Sequence, residues 1–363
     1  MGIYIGLIIY ILLLPLLVTP FCKTAEQKRK AITFLGMTAI FVILALKGET
    51  VGYDIAGYKE QYYISAKKTW SDVEYVYFEP GYITLTKCFS KIGASFQLFM
   101  VAVYALACSA MYFFIKKYSK NPVFSLIIFI CYQFFVFYIS GVRQTIAMSL
   151  CLIAYMVFQK RNTRAYIAAF LIALLAMSMH TSAIIFLPVL VFSFLKSENI
   201  SIVIWAGMII ASIIFRPLAW DLVNRYFREV DVGTDMRLAG NFIFLCGVAV
   251  IMYLINAKSN IFGLNLKYCE ITENEEVENV FFTRMIVFSV CAHFLLSGHT
   301  LLRAAMYPMI FIIPGLPNST SRLEPKFRFV VDYIFVVFFI ALFYLETLVP
   351  SQLGLCPYVF FWE

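Results

Sequence analysis

Two neighbouring apolar stretches carry a cation and an imidazole at their ends. The first opens YISGVRQTIAMSL and places Arg143 just after Gly141; the second closes LLAMSMHTSAIIF and places His180 before Thr181 and Ser182. A guanidinium at a helix start can hold a phosphate by two parallel hydrogen bonds, aided by the helix's own amides. An imidazole, with an unperturbed pKa of about 6.5, can take a proton near neutrality or hydrogen-bond a substrate. Each residue also has a plainer reading. Arg143 would form an ion pair with Glu79 or Glu49, and His180 would cap or pack.

Other polar groups fall near span ends on what is expected to be the same face. Asp54 and Glu79 are the carboxylate alternatives for a base. Tyr53 and Tyr58 flank Asp54 and can stack on sugar faces, although tyrosine is also an ordinary membrane-interface anchor. Arg303, in HTLLRAAMYP, offers a second guanidinium or a snorkelling side chain. Gln144, Ser182, Arg216, His299 and Tyr307 complete the candidate substrate contacts, and His180, His293 and His299 all lie near this side. Ionisable groups at membrane depth are costly, so each needs a partner or a ligand. The nine cysteines include no CxxC pair and several fall inside apolar runs, so no metal or redox site is expected. GxxxxGK[ST], HExxH, GxSxG and GxGxxG are absent, and no cofactor is expected.

The elements that carry these residues must be membrane helices. The chain has 363 residues, is 62% hydrophobic and has a mean hydropathy of +0.84, well above the roughly 45–50% apolar content of soluble domains. Runs such as IYIGLIIYILLLPLLV are continuous, not alternating, which excludes a barrel strand. The net charge of +8 suits anionic lipid; the basic residues sit in short connectors, so no nucleic-acid partner is expected. The first run lacks a basic n-region and an A-x-A site and reads as a retained helix.

Hydropathy predicts an all-α, polytopic membrane protein with about twelve spans, at 3–19, 31–47, 95–115, 121–140, 142–158, 165–179, 181–195, 200–215, 240–257, 281–297, 303–316 and 328–347. Gly141 separates the fourth from the fifth, and 165–195 is short for two full spans. The connectors after spans one, three, five, seven and eleven hold fourteen basic residues, from Lys23 to Arg328. The short connectors on the other side hold only Arg143 and Arg303. The positive-inside rule then places the first set in the cytoplasm and both termini outside. Residues 48–94 and 216–240 become extracytoplasmic loops. In the second, Leu218, Leu222, Tyr226 and Val230 recur at helical spacing, as in an interfacial helix. Residues 258–280, with the acidic run ENEEVEN, read as a solvated cytoplasmic loop.

Arg143 begins an inward-running helix and His180 ends an outward-running one, so loop charge alone puts both at the outer face. With GYDIAGYKEQYY, FEPGY, SGVRQTIA, AMSMHTSA, RAAMYPMIFIIP and PYVFFW in order along the chain, the sequence resembles the EpsG family of Wzy-like exopolysaccharide polymerases. That resemblance implies a bacterial cytoplasmic-membrane enzyme. Its partner would be undecaprenyl-diphosphate-linked oligosaccharide, and its reaction transfer of a growing glycan onto a lipid-linked repeat unit outside the membrane. It leaves open whether a chain-length regulator binds. Arg143 and Arg303 would neutralise the diphosphate, with His180, Glu79 or Asp54 assisting the attacking hydroxyl. An O-antigen ligase-like transferase would share the outer arginines. A flippase for the same lipid would instead require charged or broken helices at the bilayer midplane.

Overall fold

The computed structural model describes residues 1–68, 78–195, 202–226, 236–258, 267–296 and 300–363. Sixteen α-helices are described: α1 Gly2–Val18, α2 Ala25–Ala45, α3 Ile55–Lys67, α4 Pro80–Lys91, α5 Phe96–Tyr118, α6 Pro122–Cys131, α7 Phe134–Ser140, α8 Val142–Phe158, α9 Thr163–Met179, α10 Phe186–Phe192, α11 Ile202–Tyr226, α12 Met236–Asn256, α13 Glu273–Leu296, α14 Met306–Met309, α15 Ile312–Thr320 and α16 Pro325–Leu342. Two isolated β-bridges, Lys47 with Phe360 and Tyr268 with Leu323, are the only strand-like pairings among the described residues. Four helical segments are long and apolar enough to cross a membrane: Gly2–Phe21, Phe96–Tyr118, Glu273–Leu296 and Pro325–Leu348. The bent pair α6–α7 makes a fifth, and five shorter apolar helices accompany them. The architecture is therefore that of an all-helical membrane protein.

The chain forms two compact units, one of residues 1–118, 122–184 and 336–363, the other of residues 119–121 and 185–335. In the first, α8 and α9 form an antiparallel hairpin. Both have 17 residues and the turn between them spans only Gln159–Asn162, so the start of α8 is level with the end of α9. The packing is written in α9. Ala165, Ala169 and Ala173 recur every four residues and are buried, a small-residue stripe that lets two helices approach closely. Ile167, Phe170, Leu171 and Leu174 on its other side stay exposed, as lipid-facing residues do. Asn162 caps α9 by accepting from the Ala165 amide at 3.0 Å. Thr24 and Gln27 form a capping box at the start of α2.

Four segments differ from the sequence expectation. Residues 121–140 do not form one straight helix: the chain bends by 52° between α6 and α7, where Gln133 takes a positive φ of 58°. The segment 303–316 is broken into a 3₁₀ turn over Thr300–Ala305, then α14 and α15; Pro308 and Pro314 lack the amide a continuous helix needs. Leu218, Leu222 and Tyr226 lie on α11, which continues the helix begun at Ile202 instead of starting a separate one; Val230 lies outside the described residues.

The fourth difference is the acidic run. ENEEVEN is not loop but the first two turns of α13. Thr272 and Glu275 reciprocally bond each other's backbone amides at that end (3.0 and 3.4 Å), and three glutamates in the first turn suit the positive end of the helix dipole. Glu275 pairs with Lys120 at 2.7 Å and Glu276 with Arg322 at 3.2 Å. The fully buried Arg322 side chain also donates to the carbonyl and side-chain oxygens of Asn256 at 3.0 Å. A segment that charged is held in place because each carboxylate named meets a cation.

Candidate functional site

The site is assembled in the first unit, at the end of the hairpin where α8 begins and α9 stops. Gly141 ends α7 and Arg143 follows as the second residue of α8. Its guanidinium forms an ion pair through NH1 with Glu79 Oε2, and the two side chains are only 20% and 16% exposed. Nε lies 3.4 Å from Tyr58 Oη. The guanidinium carbon sits 4.5 Å from the centre of the Phe78 ring and 5.9 Å from that of Tyr58. Two aromatic faces and a carboxylate thus hold one planar cation. Among the described residues NH2 has no hydrogen-bond partner.

Glu79 is placed by its own neighbours. It precedes Pro80, which keeps it extended (φ −65°, ψ 146°) at the head of α4. Its second oxygen, Oε1, accepts from the Thr181 amide at 3.0 Å and the Thr181 hydroxyl at 3.3 Å. Burial alone would raise this carboxyl. The Arg143 guanidinium, the Thr181 amide and nearby His180 outweigh it and hold the carboxyl below its usual range. Gly81 makes the approach feasible, because a Cβ there would lie 2.8 Å from the Ser178 carbonyl oxygen. Only glycine lets α4 come this close to α9.

His180 ends α9, donating its amide to the Ala176 carbonyl at 3.0 Å from an extended backbone (φ −157°, ψ 120°). Its ring Nδ1 accepts from the Ser182 amide at 3.3 Å and lies 2.6 Å from Ser182 Oγ. The imidazole therefore caps the 3₁₀ turn Thr181–Ile185, in keeping with the plainer reading of the sequence. Ser182 is buried beside it.

Asp54 is tied to the same junction. Its amide lies 3.4 Å from Ser140 Oγ, and that hydroxyl donates back to Asp54 Oδ2 at 3.2 Å. Gly52 makes the turn possible with φ +104°; a Cβ there would lie 2.9 Å from the Ile139 carbonyl oxygen. Tyr58 follows one turn later on α3, buried against Phe78 and Tyr82. Burial pushes its phenol up, with the Arg143 charge opposing. Tyr53 is exposed and packs near Gly354, which takes a positive φ of 72°. Gln144 is buried on α8.

The structure thus brings together Arg143, Glu79, Tyr58, Asp54, His180 and Ser182. Glu49 is the carboxylate it does not choose, for Glu49 pairs with Lys59. Arg303, Tyr307 and Arg216 belong to the second unit. There Arg303 is exposed on the 3₁₀ turn, Tyr307 is buried on α14, and the Arg216 guanidinium lies 4.9 Å from the Phe294 ring. His293 shares its Nδ1 with the Ser289 carbonyl at 2.9 Å, and His299 lies outside the described residues. Sequence reasoning misses Phe78, Thr181 and Ser140. Phe78 stands beside Glu79 in FEPGY and Thr181 beside His180, so adjacency to the charged residues is the available signal.

The model of the EpsG family matches residues 30–360, nearly the whole chain. No curated protein and no solved structure matches it.

Proposed function

The chain belongs to the EpsG family, and from that premise we propose that it is a polysaccharide polymerase working on lipid-linked repeat units. A growing glycan leaves its undecaprenyl diphosphate and passes to a hydroxyl of the next unit. The hydroxyl oxygen forms a bond to the anomeric carbon, the bond from that carbon to the diphosphate oxygen breaks, and its electron pair stays on the diphosphate. The hydroxyl proton goes to a base. By the loop charges, the reaction takes place at the extracytoplasmic face of a bacterial cytoplasmic membrane, in a twelve-span protein with both termini outside.

The observation that carries this reading is the held guanidinium of Arg143. Glu79, Tyr58 and Phe78 fix its plane, while NH2 is left without a partner among the described residues. A pre-oriented cation meets charge that grows on a leaving diphosphate without first reorganising. Glu79 is poorly suited to act as the base, because both of its oxygens are engaged. Asp54 suits that role better: Oδ2 is oriented by Ser140, and Oδ1 has no partner among the described residues. Arg303 is proposed for the same charge-neutralising task by its residue type and its place in the resemblance. Tyr53 and Tyr58 suit the flat faces of sugar rings.

A bent pair such as α6–α7 is the feature that would favour a flippase. Purified protein reconstituted with lipid-linked repeat units separates the readings. A ladder of lengthening glycans supports the polymerase; net movement of single units across the bilayer without a ladder sinks it. A ligase-like enzyme would instead move preformed polymer off its carrier.

A further inference from the structure

The last residues of the chain reach the loop that carries Asp54. They belong to the same unit as the Arg143 site. The backbone turns at Ser351–Gly354, where Ser351, Leu353 and Gly354 take positive φ of 50°, 52° and 72°. It then runs back antiparallel to residues 46–53. The Gly52 amide donates to the Gly354 carbonyl and the Tyr53 amide to the Leu353 carbonyl, both at 3.1 Å. Further along, the Gly48 amide donates to the Val359 carbonyl at 2.7 Å, and the Phe361 amide donates to the Leu46 carbonyl at 3.0 Å. Tyr4 on α1 anchors this segment from below, its hydroxyl donating to the Leu355 carbonyl at 2.9 Å.

We propose that the C-terminal segment, residues 351–363, is a positioning element of the transfer site: it holds residues 48–54 so that the Asp54 carboxylate meets the attacking hydroxyl. The inference rests on the polymerase reading above, in which Asp54 is the base. Three consecutive amides carry it. Gly52 and Tyr53 are bonded to the tail, and Asp54 faces Ser140 Oγ at 3.4 Å. The loop is thus fixed between the end of the chain and the end of α7. Without such bonds a short connector samples many conformations, and ordering it has an entropic cost. A non-glycine residue at positive φ is uncommon and persists only where its surroundings over-determine it, as Leu353 is here by its bond to Tyr53. The helix that follows the loop has its own anchor, for Tyr62 on α3 donates to the Ala94 carbonyl at 2.7 Å. The tail therefore acts on the loop and not on α3. Leu353 and Gly354 are positioning residues: they work through their carbonyls, by way of Asp54.

Gly354→Ala is the probe. A Cβ there would lie 2.9 Å from the Tyr53 ring, on a φ of 72° that alanine rarely adopts, so the tail must draw away from the loop. In the reconstituted full-length protein the rate of ladder growth should fall by about 10- to 100-fold, the scale of a misplaced reacting group. The discriminating measurement is the double variant. If the tail works through Asp54, Gly354→Ala with Asp54→Asn is no slower than Asp54→Asn alone, which itself loses about 10²–10⁴-fold. Losses that multiply overturn the inference, because they mark general damage to the fold. Amide hydrogen exchange supplies an arm without turnover. The Gly52 and Tyr53 amides should exchange at least about tenfold faster in Gly354→Ala, and unchanged exchange also overturns the inference. Tyr4→Phe keeps the ring and removes one bond to the tail, and should show the same pattern in weaker form; it carries the test if Gly354→Ala does not reach the membrane. A wild-type protein that builds no ladder refutes the polymerase, while the exchange result still decides whether the tail holds the loop.

Discussion

Glu79 and Arg143, 64 residues apart in sequence, close an ion pair between the head of α4 and the head of α8, each side chain no more than 20% exposed. Its chemical use lies in asymmetry. The carboxylate is engaged from both sides, by Arg143 and by Thr181, whereas among the described residues the guanidinium keeps NH2 unpaired. The pair thus fixes a cation, and the proposed polymerase reading assigns its remaining NH2 to the diphosphate.

Arg143→Lys tests that aim. It keeps the charge and loses the planar fork and the stacking on Phe78. Polymer formation is expected to fall by about 10²–10³-fold, the scale of one removed charge-stabilising donor. Membrane fractionation should find the protein at the wild-type level. Full-length polymer from this variant, seen on a glycan gel, would count against a diphosphate clamp.

Glu79→Gln keeps the shape and removes the charge. A largely buried guanidinium is left without its carboxylate, and thermal unfolding in detergent should show a loss of about 1–3 kcal/mol, discounted for residual solvent exposure. The pH dependence has a definite sign. The folded-state carboxyl is held below its ordinary value of 4.5, so its stabilisation is present above that value and is lost as pH falls through the lower, folded one. Wild type should therefore lose stability on acidification below about pH 4.5, and the gap between wild type and Glu79→Gln should narrow there. A gap that is constant across pH would remove the electrostatic account.

Asp54→Asn retains the hydrogen-bond geometry toward Ser140 but cannot take a proton. Turnover should drop by about 10²–10⁴-fold while the melting temperature stays near wild type. If the rate is unchanged, Asp54 is not the base.

Gly81→Ala probes the contact that brings α4 to α9. The added methyl would meet the Ser178 carbonyl at 2.8 Å, so the helices must part. A loss of about 1–3 kcal/mol and weaker polymerisation are expected, because Glu79 moves off Thr181. Gly57→Ala is the control. A Cβ at Gly57, within α3, meets nothing within 4 Å, and alanine there should stabilise by up to about 1 kcal/mol. Equal behaviour of the two variants in the unfolding assay would rule out close packing as the reason for Gly81.

Much of the fold is legible in the sequence because hydropathy, charge and small-residue spacing act locally. The hairpin is the clearest case. Two apolar runs of similar length, a connector with Lys160, Arg161 and Arg164, and alanines every fourth residue leave little choice but an antiparallel pair with Arg143 and His180 at one end. Local patterns mislead where a distant partner intervenes. ENEEVEN reads as solvated loop because its charges repel one another in isolation. Lys120 and Arg322 supply the cations that make it the start of α13. The bend at Gln133 has no breaker to announce it, and the prolines of 303–316 are outweighed by the hydropathy around them.

The sequence by itself determined the membrane class of the chain and the kinds of side chain gathered at its helix ends, because transfer free energy and residue type belong to each residue wherever it lies. Tertiary structure decided the pairings. It gave Arg143 to Glu79 and Glu49 to Lys59, tied Asp54 to Ser140 across 86 residues, and closed Glu79 with Thr181 across 102. A hydrogen bond or ion pair requires its atoms within about 3–4 Å. Only packed elements, such as α4 seated on α9 at Gly81, bring residues so far apart in the chain to that distance.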